Sequence, residues 1–134
     1  MKKILVMEDD PKIASALAIR FEAAGYAVLT ATDGCTGLKL ALDQKPDLLV
    51  MDIWMPVGLG FSVAQRLQTL GLGGIPIIFI TASRVKGLKQ AAEKLGAVAF
   101  FEKPYDPQQL LAAVADALKN AEQRHQEAPA EATS

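Results

Sequence analysis

The chain has 134 residues, 51% of them apolar and 22% charged, with a formal net charge of −1. These values fit one domain around one core and argue against disorder except at the ends. They provide no field to gather nucleic acid or an anionic membrane, so direct nucleic acid binding by this segment is not expected.

The chain opens with "MKKILVM", which has the basic start of a signal peptide, but Glu8, Asp9 and Asp10 end its apolar run too early. The same run, "KILVM", reads as a first strand. Behind "DDP", Asp10 can cap and Pro11 can open a helix whose stripe is Ile13, Leu17 and Phe21. "YAVLTA" is the second strand, and the "TDG" at 32–34 turns the chain into a helix marked by Leu38 and Leu42. On that helix Cys35 reads as a small buried hydrophobe, and as the single cysteine it excludes an internal disulfide. "DLLVMD" is the third strand, followed by a helix carrying Val63 and Leu67. "IPIIFIT" is the fourth, followed by a helix marked by Leu88 and Leu95, with Ser83 as its expected cap. Arg84, Lys86, Lys89 and Lys94 make that region basic, a solvated face first and a partner surface second. "VAFFE" is the last strand; Asp106, Pro107 and Gln109 then open a helix striped by Leu110, Val114 and Leu118.

Short apolar runs alternating with helical segments predict an α/β fold, a (βα)5 doubly wound sheet of five parallel strands. Residues 1–122 form one expected domain, and 123–134 a flexible tail or the start of a linker. His125 falls at the edge of that tail, where a catalytic or metal role is not expected. No apolar stretch is long enough for a membrane span, and a cytoplasmic location is expected.

In open parallel sheets chemistry gathers beyond the carboxyl ends of the strands. There the sequence places Glu8 and Asp9, then Asp52, then Thr81 and Ser83, then Lys103 before Pro104. Crowded carboxylates repel unless a cation relieves them, and a hard divalent ion such as Mg²⁺ suits oxygen ligands beside a phosphoryl group. Asp52 is then a nucleophile toward phosphorus, with Lys103 and the Thr81 hydroxyl orienting the phosphoryl oxygens.

The motifs "ILVMEDD", "PDLLVMDIWMP" followed by Gly60, "IFITAS" and "FFEKP" resemble, in order and position, the bacterial two-component response-regulator receiver domain, in particular the chemotaxis-regulator type. The resemblance covers residues 2 to about 122. It implies the flavodoxin-like strand order 2-1-3-4-5. It implies that Asp52 accepts a phosphoryl group from a sensor histidine kinase, a phosphotransfer protein or a small phosphodonor. Glu8, Asp9, Asp52 and the Trp54 backbone carbonyl would organise Mg²⁺. Thr81 and Lys103 would read the phosphoryl group, and Phe100 would be the switch aromatic, so that the fourth helix, fifth strand and fifth helix control a partner or output domain. That face is also the one a homodimer formed on phosphorylation would use. Such a domain catalyses only its own phosphorylation and dephosphorylation. A cis Lys103–Pro104 bond is implied as well.

Two positions depart from the family's pattern. Trp54 places an indole two residues after the acceptor, and Leu59 replaces an acidic residue often found before the glycine equivalent to Gly60. Phe100 lacks a tyrosine hydroxyl, leaving packing and rotamer as its means of switching. A metal-dependent phosphohydrolase with an aspartyl nucleophile is the enzymatic alternative, but Trp54 stands where its second aspartate belongs. A phosphorylation-independent interaction domain would show an eroded acidic pocket. "GLGFSV" at 58–63 has Val63 in place of the third glycine of a dinucleotide fingerprint, which excludes that cofactor reading. Whether the domain stands alone or fronts a longer regulator is left open by the sequence.

Overall fold

The computed structural model describes the backbone of residues 1–54 and 60–132 and the side chains of those residues through Arg124. Leu59, one of the two departures, lies outside the described residues, as do Gly58 and the side chain of His125. Five strands, β1 (Lys3–Met7), β2 (Ala27–Ala31), β3 (Leu48–Asp52), β4 (Ile77–Thr81) and β5 (Ala99–Glu102), alternate with α1 (Pro11–Ala23), α2 (Gly34–Gln44), α3 (Gly60–Thr69), α4 (Leu88–Lys94) and α5 (Pro107–Ala132). The strands form one parallel sheet in the order β2-β1-β3-β4-β5.

Strand alternation divides the core into two layers. Ile4, Val6, Leu48, Val50, Ile78 and Ile80 face α1 and α5, meeting Leu17, Phe21, Leu110 and Val114. Leu5, Met7, Leu49, Met51, Ile77 and Phe79 face the other way, against Ala41 of α2, Val63, Ala64 and Leu67 of α3, and Ala92 of α4. Helices on both faces leave the central strands no polar side, which is why "LLVM" and "IIFI" run unbroken. Burying each such side chain contributes about 1.5–3 kcal/mol.

Local signals decide where helices start. Asp10 Oδ1 accepts from the Lys12 N–H at 2.9 Å with Pro11 opening α1, and Asp33 Oδ1 accepts from the Thr36 N–H at 2.7 Å at the head of α2. Asp106 Oδ1 accepts from the Gln108 N–H at 2.9 Å ahead of α5.

Several sequence expectations are corrected. Cys35 is exposed, because α2 turns Gly34, Gly37 and Ala41 inward at three- and four-residue spacing and Cys35 lies about 100° round from Gly34. Leu42 is exposed for the same reason. Ser83 does not cap α4: its hydroxyl accepts from the Val85 N–H at 3.3 Å, and Gly87, in the left-handed region, occupies the N-cap. The final helix runs from Pro107 to Ala132.

Lys45 is the one non-glycine residue of positive φ among the described residues, at φ 46° and ψ 65°, where it ends α2. A Cβ in that conformation costs about 1 kcal/mol, and glycine is the usual solution at a helix end. Lys45→Gly is therefore expected to stabilise the domain by about 0.5–1 kcal/mol. Urea unfolding checks this through a raised midpoint at unchanged slope.

Candidate functional site

The register of the sheet assembles the site. β1 and β3 pair as Val6 with Val50 and Met7 with Met51, so the next step sets Glu8 beside Asp52 on the α1 and α5 side. Asp52 pairs with Ile80, and Thr81 with Glu102, which places Lys103 one residue beyond β5 on the same rim. Four strand ends supply the groups found there.

Lys103 joins two of them. Its Nζ donates to Glu8 Oε1 at 2.7 Å and to Asp52 Oδ2 at 3.2 Å. The remaining carboxylate oxygens are also bonded: Glu8 Oε2 accepts from the Asp10 N–H at 3.2 Å, and Asp52 Oδ1 from the Trp54 N–H at 3.1 Å. Glu8 is 3% exposed and Asp52 8% exposed, whereas Asp9 stands in solvent at the rim. One oxygen from each of Glu8, Asp9 and Asp52 lies within 4.8 Å of the others. This is a donor set of hard oxygens, which fits Mg²⁺ rather than a soft thiophilic metal.

Burial holds the Glu8 carboxyl above its ordinary value, and the neighbouring Asp9 adds to the rise; the Lys103 ammonium and the Asp10 N–H pull it back. For Lys103 burial favours the neutral amine, but the hydrogen bond to Glu8 and the charge of Asp52 more than offset it, and its pKa is raised. That ion pairing is present below 10.5 and is lost as pH rises through the higher folded value.

Thr81 is fully buried, its Oγ1 accepting from the Ser83 N–H at 3.0 Å. Phe100 is partly buried on the α3 and α4 side, paired in register with Phe79, which meets Phe61 edge-on at 5.1 Å. Trp54 is 49% exposed, an unusual position for an indole, next to the acceptor candidate. The Lys103–Pro104 peptide bond is cis. The structure thus brings together Glu8, Asp9, Asp52 and Lys103, with Thr81 one strand away. Sequence reasoning assigned Glu8 to metal binding alone, and its direct bond to Lys103 became legible only once register set both ends.

Concavities of about 450 Å³ beside α1 and about 500 Å³ at the opposite end of the sheet lie away from this rim. The site is distinguished by its charges rather than by enclosure. Among the described residues no helix is long and apolar enough to cross a membrane.

Removing Lys103 leaves buried carboxylates without their cation. Lys103→Met is expected to cost about 1–3 kcal/mol at neutral pH, less than a fully buried pair because the lysine is 21% exposed. Without the ammonium Glu8 titrates still higher, so the folded variant takes up a proton that the unfolded chain, with its value of 4.5, does not yet bind. The deficit should therefore narrow as pH falls from neutral toward 4.5, which unfolding curves across that range would show.

Comparison with known proteins matches residues 4–115 to the response regulator receiver domain. The chain is 38% identical over 120 residues to the DNA-binding dual master transcriptional regulator RpaA of Synechocystis, covering 85% of this chain and 48% of that protein. It is 37% identical over 121 residues to the alkaline phosphatase synthesis transcriptional regulatory protein PhoP of Bacillus subtilis, covering 90% and 50%. Among solved structures, the receiver domain of the Francisella response regulator 1452 superposes with a TM-score of 0.84 at 29% identity, covering 90% of this chain and 98% of that one. The CheY-like response regulator receiver domain protein of Methanospirillum hungatei gives 0.87 at 26%, covering 92% and 98%. The chain spans about half the length of the curated relatives it matches.

Proposed function

This chain belongs to the response regulator receiver domain family, a phosphorylation-dependent signalling family, and on that premise we propose that Asp52 is its phosphoacceptor. The observation that carries this reading is the ion-paired geometry: Asp52 ends a buried strand with its carboxylate held between the Lys103 ammonium and the Trp54 N–H. Oδ2 attacks the phosphorus of a phosphohistidine on a sensor histidine kinase or phosphotransfer protein. The P–N bond breaks, its electrons stay on the imidazole, and an acyl phosphate forms. Lys103 follows the incoming charge and gives its second bond to a phosphoryl oxygen, while the Thr81 hydroxyl turns from the Ser83 N–H to another.

Mg²⁺ held by Glu8, Asp9, Asp52 and the Trp54 carbonyl would supply neutralisation of the charge gathered there. Thr81 and Phe100, on the same side of the sheet, link the site to the face of α4, β5 and α5, which would act on an effector or on a second copy. The acidic pocket is intact, which argues against a phosphorylation-independent interaction domain. Trp54 argues against a phosphohydrolase, because it cannot serve as general acid. Residues 1–122 would act as the switch and the remainder as its connection.

Incubation with acetyl phosphate and Mg²⁺ followed by intact-mass measurement tests the proposal. One phosphoryl addition is expected, absent in Asp52→Asn and with EDTA; an addition that survives both would refute it. Trp54, half-exposed beside the acceptor, is proposed to exclude attacking water. Trp54→Asn should then lose its phosphoryl group several-fold faster, and an equal or slower loss would count against the shielding role.

A further inference from the structure

The acceptor's backbone is pressed from behind by a helix terminus. Gly60, the first residue of α3, donates its N–H to the Ile53 carbonyl at 2.8 Å. A Cβ placed on Gly60 would lie 2.6 Å from the Asp52 carbonyl oxygen, 3.0 Å from Ile53 Cα and 3.3 Å from the Ile53 oxygen. All three atoms are backbone and cannot swing aside. Gly37 shows the contrast: a Cβ there would press on Met7 Sδ, the far part of a flexible side chain.

We propose that Gly60 is a positioning residue for phosphoryl acceptance: the absence of its side chain lets α3 seat against the Asp52–Ile53 backbone and so fixes where the Asp52 carboxylate points. The inference rests on the reading of Asp52 as acceptor. A methyl group at residue 60 must push α3 outward or the end of β3 toward the rim. Either movement breaks the Gly60 to Ile53 bond and shifts the segment on which two groups hang, the Asp52 carboxylate and the Trp54 N–H that holds its Oδ1. The Asp52 carboxylate is also anchored on its far side by Lys103, so a shifted backbone cannot keep both of its bonds. Misplacement of a reacting group by about 1 Å can cost about a hundredfold in rate.

The test compares Gly60→Ala with Gly74→Ala, where a Cβ meets nothing within 4 Å. Each is made in the wild-type chain and in the Lys45→Gly background, which is expected to be more stable, so that a modest loss of stability does not obscure the result. Mg²⁺ affinity is read from the fluorescence of Trp54, the chain's single tryptophan, and phosphorylation by acetyl phosphate from intact mass. The expected result is a folded Gly60→Ala protein whose Mg²⁺ affinity and phosphorylation rate both fall at least about tenfold, with Gly74→Ala unchanged. A folded Gly60→Ala protein that keeps both, or a fall that only follows the unfolded fraction, would overturn the proposal. So would failure to fold in both backgrounds, which would make the role one of stability alone. A wild-type chain that neither responds to Mg²⁺ nor gains a phosphoryl group at Asp52 would refute the acceptor reading itself and the inference with it.

Discussion

Lys103 holds Glu8 and Asp52 together across the ends of three strands, and the arrangement of the rim follows from that double ion pair. Three carboxylates converge there and one ammonium meets two of them. With all four groups ionised negative charge remains in excess, and two of the three acids are buried. Such a cluster is costly unless further positive charge arrives. The same features that make it costly at rest would favour the cation proposed for this rim, whose charge would in turn favour the proposed phosphoryl group. Structure and chemistry thus meet in one electrostatic imbalance.

The fold delivers that imbalance through register. Parallel pairing sets β1 and β3 level, so the residues that follow Met7 and Met51 emerge side by side. The apolar faces of the strands fix which way each residue turns, since a one-residue slip would expose the core of both layers. Lys103 reaches the centre from the edge strand because Thr81 aligns with Glu102. Behind Asp52, the start of α3 closes on the strand end. The carboxylate is thereby held from its Trp54 side and its Lys103 side together.

Much of this was legible in the sequence. Unbroken apolar runs such as "LLVM" and "IIFI" announce a buried parallel sheet, and residues at their carboxyl ends were the natural candidates for chemistry. Asp10 with Pro11 announced the start of α1 as written. Legibility failed where a local signal had two physical solutions. Ser83 had the side chain of a cap, but the chain turns there and Gly87, by its left-handed backbone, begins the helix instead. Cys35 was assigned to the interior by residue type, whereas helix phase, set by the Asp33 cap and the inward glycines, turns it to solvent. The exposure of Trp54 and the pairing of Glu8 with Lys103 depend on contacts between distant segments, which periodicity does not report.

The charge imbalance is tested most directly by denaturant unfolding of the wild-type chain and of Asp9→Asn over a series of Mg²⁺ concentrations. A ligand that binds only the folded state adds stability in proportion to the logarithm of its concentration once its site is filled. The account predicts that slope for the wild-type protein and its loss, or a shift to much higher Mg²⁺, for Asp9→Asn. A wild-type stability indifferent to Mg²⁺, or an identical response in both proteins, would contradict it.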